Sequence, residues 1–569
     1  MDAVPGARAL LAIYSAGFAP RLRIHCFFHR MTHDPAEPPQ PALRFFLPSA
    51  RDIIFLFLFW SLLAGTLSNR PLADPDIGWH IRTGERILLT HTLPRTDPYS
   101  SIMYGHPWFA WEWLYDILLG ILHHLCGLNG VVWLCAVIVA STFTILLSQL
   151  LKRGTSLVLA IVLMLLAECA AVVHLYARPH IVSWFFVLLW FIALERWEDR
   201  WEQGNPPRWL RWFSLRWFFP VSMVLWVNLH GGWILGMALL TIYLFASVVE
   251  ILVVKSGRDP FASIEMARRA RGMALAWFAS AVATFVNPFG WRLHAHIFAY
   301  LSDRYLMSRI SEFRSPNFHF WPARCFAIIL VMTLIAIATS RRRLRLSHLL
   351  VILIATYTGL LSSRNLPVSS MLLVLIVGPM LWETFATLGA NPAAWRWMRD
   401  RISRIDEFSS RLGVQELQLK AHFWPLVCVI GVLLVCLQGG RIGSVQLIHA
   451  HFDPKMVPVA ATDFLAKESS ADPVFSIDLW GGYLIYRLYP HRQVVVDDRH
   501  DLYGSDRIRQ ILVLMQGEPG WDHVLDNLHV NTVLLPTDST LANLLRELPQ
   551  QWPVKYEDQV AVVFEKRLR

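Results

Sequence analysis

The chain has 569 residues, 55% of them hydrophobic, with 25 Trp, 17% charged residues and a mean hydropathy of +0.41. That is too apolar for soluble domains of this length and defines a polytopic membrane protein. A formal charge of +10 would suit a nucleic-acid binder in a soluble chain, but basic residues of membrane proteins gather in cytoplasmic loops, and no stretch resembles a nucleic-acid motif.

In chain order, residues 1–50 hold Arg21, Arg23, Arg30 and Arg44 with little acid and no small-residue cleavage site behind a short apolar core. They read as a cytoplasmic tail rather than a signal peptide, with Met31 as a second candidate start. Apolar runs at about 52–68, 130–151, 155–176, 180–197, 216–229, 232–254, 271–286, 324–340, 346–362, 368–389 and 422–438 predict about eleven transmembrane helices within a domain spanning 51–440. A further helix at about 108–126 ("WFAWEWLYDILLGILHHL") carries Glu112, Asp116 and two His. It reads as an aromatic-rich juxtamembrane helix inside a first outer loop, 69–129.

The positive-inside rule supports that assignment. If 108–126 does not cross, the loop of Lys152 and Arg153, "ERWEDRWEQGNPPRWLRW", "KSGRDPFASIEMARRARG", "SRRRLRLSH" and the basic stretch 391–420 all fall on the side of the N-terminal tail. If it crosses, they alternate to the wrong side. The opposite, outer face then collects "ADPDIGWHIRTGE", "HPWFAWEWL", "YARPH", "VNLHGG", "VNPFGWRLHAH", "SSRNLP" and everything after 440. Arg178 and Arg364 lie in these outer loops, against the bias, which an anionic ligand, a lipid phosphate or a neighbouring carboxylate would explain.

Six of the seven Cys (Cys126, Cys135, Cys169, Cys325, Cys428, Cys436) lie in or beside apolar stretches, Cys26 lies in the tail, and no CxxC pair exists. This argues against disulfides and a thiolate metal site. From 441 to 569 the periodicity changes. "PVFSID", "GYLIYRL", "QVVVDD", "NTVLLP", "VKYED" and "VAVVFEKR" read as strands, with helices near 457–468, 505–517 and 539–548, giving a small outer-face α/β domain.

A first outer loop with an acidic pair, a multi-span body and a C-terminal outer domain together resemble the GT-C superfamily of lipid-phosphate-sugar-dependent glycosyltransferases. That superfamily includes oligosaccharyltransferase catalytic subunits, protein O-mannosyltransferases and the lipid A aminoarabinose transferase. Asp76-Ile-Gly-Trp79-His80-Ile-Arg82 resembles the D-x-x-x-(H/N)-x-R run of oligosaccharyltransferase first outer loops. "SIDLWGGYLIYRLYPHRQVVVDDR" (476–499) resembles the region where those subunits carry W-W-D-Y-G. Here Trp480-Gly481-Gly482-Tyr483 lacks the central acid, so sequon recognition is not carried over. The chain is also similar to bacterial membrane glycosyltransferases with a D-x-D-x-x-W-H … P-x-x-D-P-(F/Y)-S … G-x-P-W … E-W-L loop. The matching residues are Asp74, Asp76, Trp79 and His80; Pro94, Asp97, Pro98, Tyr99 and Ser100; Gly105, Pro107 and Trp108; and Glu112, Trp113 and Leu114.

The resemblance implies transfer of a sugar from a polyprenyl-phosphate donor to a lipid, glycan or protein acceptor at the outer face of a bacterial inner membrane. That chemistry needs a carboxylate near the attacking group and cations at the leaving phosphate. Asp76 is the first candidate for base or metal ligand and Asp74 the second; a divalent cation such as Mg or Mn, or a proton, would relieve their repulsion. The alternative is that Asp74-Pro75-Asp76 merely caps a helix beginning near Ile77. Glu112 either orients the acceptor or bonds its own loop. Arg178 and Arg364 are candidates for the leaving phosphate, and His80, His180 and His230 for phosphate or metal. Trp79, Arg82, Trp480, Tyr483, Asp498 and Arg499 complete the candidate substrate-binding set, each with an ordinary structural role as its alternative. Glu168, a carboxylate inside a predicted span, keeps a transporter or flippase of anionic or lipid-linked substrates open. The scarcity of other intramembrane charges and the lack of an internal repeat weigh against it. A receptor that keeps the fold without activity is the third alternative.

Overall fold

The computed structural model describes residues 46–202, 217–254, 260–392, 395–419 and 422–567. Nearly all of the predicted N-terminal tail lies outside them. After helix α1 (Ala50–Leu63) the chain turns into the first loop region, which holds α2 (Ile77–Thr90) and α3 (Trp113–Cys126). The bundle follows with α4 (Leu128–Lys152), α5 (Leu157–Ala171), α6 (His180–Glu202), α7 (Phe218–Leu229), α8 (Trp233–Val254), α9 (Pro260–Ala283), α10 (Trp321–Thr339), α11 (Leu346–Leu361), α12 (Leu366–Ala390) and α13 (Phe423–Leu437).

Six helices among the described residues are long and apolar enough to cross a membrane: 128–152, 157–174, 180–199, 233–253, 321–339 and 363–390. The other predicted spans also fold as helices. α1, α7, α11 and α13 have 14, 12, 16 and 15 residues, or about 18–24 Å at 1.5 Å per residue, against a core of about 30 Å. α9 is long enough, but its first turns carry Glu265, Arg268, Arg269 and Arg271. α3, the predicted juxtamembrane helix, has 14 residues. It crosses α2 where Gly84 and Gly120 meet: a Cβ on Gly120 would lie 2.6 Å from the Gly84 carbonyl carbon, so only glycine permits this approach.

One end of the bundle is laced by ion pairs. Arg153 pairs with Glu195, Arg269 with Glu198 and, at 3.2 Å, with Glu250, and Arg345 with Asp199 at 2.8 Å. Basic loops assigned to one side thus share an end. Glu168 is buried within α5 and joins no acidic cluster among the described residues.

The C-terminal region carries a four-stranded sheet, β1 (Val474–Phe475), β2 (Thr532–Pro536), β3 (Val554–Glu557) and β4 (Ala561–Glu565), in the order β1-β2-β4-β3. β1 and β2 are parallel and the other pairs antiparallel, with Val533 opposite Phe564 and Leu535 opposite Val562. The helices predicted there form at Val459–Lys467, Thr540–Arg546 and α15 (His500–Gln516). "GYLIYRL", predicted as a strand, is instead part of helix α14 (Asp478–Leu488). Trp480, Leu484 and Leu488 recur every four residues and are buried. Gly481 and Gly482, poor helix formers, mask that period. "QVVVDD" forms no ladder; Val494 makes isolated bridges with Ser100 and Val474. The residues after Val494 therefore run alongside the first loop.

Candidate active site

The Asp74-Pro75-Asp76 corner ends the approach to α2. Asp76 occupies the N-cap position with helical φ and ψ of −60° and −25°, and its side chain makes no capping bond. Asp76 therefore does not cap α2; of the two aspartates, only Asp74 makes a cap-like bond. Asp74 Oδ1 accepts the Asp76 amide at 3.1 Å, which fixes the corner and leaves the Asp76 carboxylate aimed inward. That side chain is wholly buried, and neither oxygen has a hydrogen-bond partner among the described residues.

Arg178 faces this corner from the loop before α6. Its Nη1 donates to Asp74 Oδ2 at 2.7 Å and forms ion pairs with Asp76 Oδ2 at 3.0 Å, Glu312 Oε1 at 3.7 Å and Asp498 Oδ2 at 3.9 Å. Arg364 reaches the other Glu312 oxygen at 3.3 Å. Burial raises the Glu312 carboxyl, but Arg364 and Arg178 outweigh it and hold it down to about 2. For Arg178, burial is outweighed by Asp74 and Glu312, so its proton is held more tightly than usual. Both arginines thus have local acids, and both also line the open hollow.

Asp498 comes from the far end of the chain. One oxygen each of Asp74, Asp76 and Asp498 lies within 4.8 Å of the others. Burial and the charge of Asp74 push the Asp498 carboxyl up to about 7, and burial also raises Asp74 against the pull of Arg178. Arg499 holds this corner in place. It forks onto Asp497 at 2.8 and 2.7 Å, meets Asp97 at 2.8 Å and lies 4.6 Å above the Trp108 ring. Asp97 in turn accepts the Tyr99 and Ser100 amides at 3.2 and 3.0 Å. The Asp97-Pro98-Tyr99-Ser100 motif is therefore the clamp that seats Asp498.

A buried carboxylate without hydrogen bonds is costly, and three hard oxygen donors suit Mg or Mn better than a softer metal. Arg178 offsets one of their three negative charges, so the set fits a divalent cation on both donor chemistry and charge.

Glu112 stands at the start of α3 between two imidazoles. His80 Nε2 lies 3.7 Å from Glu112 Oε2, and His230 Nε2 lies 3.6 Å from Oε1. Burial pushes Glu112 up to about 7, against the pull of Arg178 and Arg364. Burial lowers both histidines well below the usual range, with nearby positive charges adding to it.

Two adjoining hollows, of about 100 and 350 Å³, share Arg178, Tyr300, Arg364, Asp498 and His500. Trp79 and Glu112 line the smaller, Asp74 and Glu312 the larger. Other candidates lie elsewhere. Trp480 is buried and donates to the Met456 carbonyl at 3.0 Å, and buried Tyr483 accepts from Arg487 at 3.0 Å. Arg82 donates to the Tyr486 carbonyl at 2.8 Å, and His180 bonds the His174 carbonyl at 2.7 Å. Glu312, Asp116 and His500 were missed by sequence reasoning. The acidic residue of "ISEFRSP" carries no motif, and Asp116 was noted only as a charge on the helix.

The fold has solved counterparts. The Archaeoglobus fulgidus oligosaccharyltransferase in its apo form superposes over 86% of this chain and 70% of its own, with 11% identity and TM-score 0.50. The same enzyme tethered to an acceptor peptide containing the NVT sequon covers 91% and 74%, with 13% identity and TM-score 0.50. ArnT from Cupriavidus metallidurans bound to undecaprenyl phosphate aligns more loosely, at 14% identity and TM-score 0.46 over 90% of this chain and 97% of its own. No family model matches the chain, and no characterised protein matches it by sequence. The oligosaccharyltransferase likeness shows the fold alone: a mostly helical, multi-pass membrane protein with a small C-terminal α/β region.

Proposed function

We propose that the protein is a GT-C-type glycosyltransferase that moves a sugar from a polyprenyl-phosphate donor to an acceptor at the outer face of a bacterial inner membrane. In this reading the N-terminus is cytoplasmic and the C-terminal region lies outside. The observation that carries it is the Asp74, Asp76 and Asp498 cluster under Arg178, built from three separated segments, with Asp74, Asp498 and Arg178 lining one hollow.

Arg178 and Arg364 bind and orient the donor phosphate, and their charges stabilise the negative charge that develops on it as the sugar leaves. Asp74, Asp76 and Asp498 would hold a divalent cation, which when bound supplies further Lewis-acid stabilisation at that phosphate. Trp79 walls the hollow, excluding water from the sugar carbon. Glu112 lies on the acceptor side. Because the cluster occupies one end of the bundle and Glu168 stands apart from it, the arrangement supports chemistry at one surface over transit between two.

The test is transfer of labelled sugar from a panel of polyprenyl-phosphate donors in membranes containing the protein. Transfer by wild type that is lost in Asp76→Ala and Arg178→Ala at equal expression is expected. Absence of transfer with every donor, or activity indifferent to Asp76, would overturn the proposal and favour a transporter or an inactive receptor.

A further inference from the structure

Glu112 is the middle of a continuous buried chain of titratable groups. On one side, His80 Nδ1 and Asp116 Oδ1 lie 2.7 Å apart. Both side chains are fully buried, and His80 Nε2 and Asp116 Oδ2 have no partner among the described residues. On the other side, His230 Nδ1 accepts the Gly232 amide at 3.0 Å and faces Ser183 Oγ at 2.7 Å; that oxygen already accepts the Trp226 indole N–H at 2.7 Å. Ser183 therefore donates to Nδ1, and the single proton of neutral His230 sits on Nε2, directed at Glu112 Oε1. The two carboxylate oxygens thus face different things: a fixed donor at Oε1, and an imidazole at Oε2 whose tautomer is set by Asp116.

We infer that Glu112 takes the proton of an acceptor hydroxyl, with His80 and Asp116 on one side and His230 and Ser183 on the other as its positioning pairs. The inference rests on the proposed glycosyl transfer. The acceptor oxygen forms its bond to the sugar carbon, the carbon–phosphate oxygen bond breaks, and its electron pair leaves on the phosphate held by Arg178 and Arg364. The hydroxyl proton passes to Glu112 Oε2. Burial and the Glu112 charge raise the Asp116 carboxyl well above the usual range, so Asp116 keeps its own proton and the hydroxyl proton stays on Glu112, with no buried imidazolium formed. The 3.7 Å gap between Glu112 and His80 closes by a small side-chain adjustment when the acceptor fills the adjoining hollow, as catalytic hydrogen bonds tighten in the substrate complex.

A hydroxyl fits better than a sequon amide. The Trp480–Tyr483 stretch lacks the acid of W-W-D-Y-G, and its aromatic side chains are buried in the C-terminal region. The groups whose charges reach Glu112 are His80 and Asp116 from the first loop and α3, His230 after α7, Arg178 and Arg364 from two outer loops, and Asp501 from α15. The arginines favour its carboxylate; burial and Asp501 oppose it.

Infrared difference titration of the purified full chain in lipid nanodiscs reads Glu112 without any donor. The wild-type minus Glu112→Gln difference, in which Asp498 cancels, is expected to hold a protonated-carboxyl band lost with a midpoint near neutral pH and moved by at least about half a pH unit in Asp116→Asn and His230→Gln. Where transfer is measurable, the acid limb of kcat against pH follows the same midpoint, and kcat falls about 10²–10³-fold in Glu112→Gln while the donor KM changes less than about threefold. No such band in that difference, or a midpoint indifferent to both flanking variants, overturns the inference. Absence of transfer in wild type instead refutes the glycosyltransferase assignment, while the band still decides whether Glu112 titrates as a positioned proton acceptor.

Discussion

Gly482 packs directly against Asp76: a Cβ on Gly482 would lie 2.6 Å from the Asp76 Cα and 2.6 Å from the Pro75 carbonyl oxygen. One turn of α14 thereby presses the C-terminal region onto the corner that carries the acidic cluster, and its neighbour Gly481 leaves no more room, with the Asp497 Cα 2.5 Å from a Cβ placed there.

Replacing Gly482 by Ala is therefore expected to cost about 1–3 kcal/mol through overpacking and to displace Asp76. Thermal unfolding in detergent should show the lower midpoint, and sugar transfer should fall more than the stability loss alone explains. Gly413, inside the helix Arg396–Gln418 and with nothing within 4 Å of an added Cβ, is the control: its Ala variant should not lower the midpoint and should leave transfer unchanged.

Arg178 serves several acceptors through one nitrogen, so charge and fork geometry separate in its variants. Arg178→Ala should reduce kcat by about 10²–10³-fold. Arg178→Lys should recover part of that loss, since an ammonium supplies the charge without the planar fork. Equal activity of Lys and Ala variants would remove Arg178 from phosphate stabilisation.

Glu312 gives a pH dependence of stability. Its folded pKa, about 2, lies below the ordinary 4.5 because the Arg364 and Arg178 charges overcome its burial. A depressed acid contributes stability that is full above the unfolded pKa and lost as pH falls through the folded one. Melting midpoints measured from pH 6 down to pH 3 should therefore drop for wild type below about pH 4.5, and drop less steeply for Glu312→Gln.

Cation binding is read most directly with Mn. Paramagnetic Mn should bind the donor-free protein, and Asp498→Asn should weaken it at least about tenfold, since a carboxylate ligand is lost from a hard-oxygen site. Binding unchanged by both Asp498→Asn and Asp76→Asn would place the cation elsewhere.

The site was partly visible before the fold was known, for physical reasons specific to its residues. Arg178 and Arg364 stood out because loop arginines on the outer face oppose the positive-inside bias, and both line the hollow beside Asp74 and Asp498. Glu312 gave no such signal, since an acid in an outer loop is ordinary; only the fold shows it between the two arginines. Trp480-Gly481-Gly482-Tyr483 looked like a ligand motif. Its glycines instead permit close backbone packing, and its aromatics fill the core. Arg499 lines the smaller hollow and also seats Asp498, being forked onto Asp497 and paired with Asp97. Spans of 12 to 16 residues were visible as apolar runs, but their lengths became clear only from where the helices end.

Asp498 follows 497 residues of chain and joins two aspartates that precede the bundle. During synthesis the helices enter the membrane in order, the first loop among the earliest parts to emerge. A half-made chain therefore owns Asp74, Asp76 and Arg178 but no third carboxylate and no Arg499 clamp to seat one. On the proposed function, the site is incomplete until the segment carrying Asp498 and Arg499 has docked, so unfinished copies would not consume donor, and truncation before Asp498 would leave an inert chain.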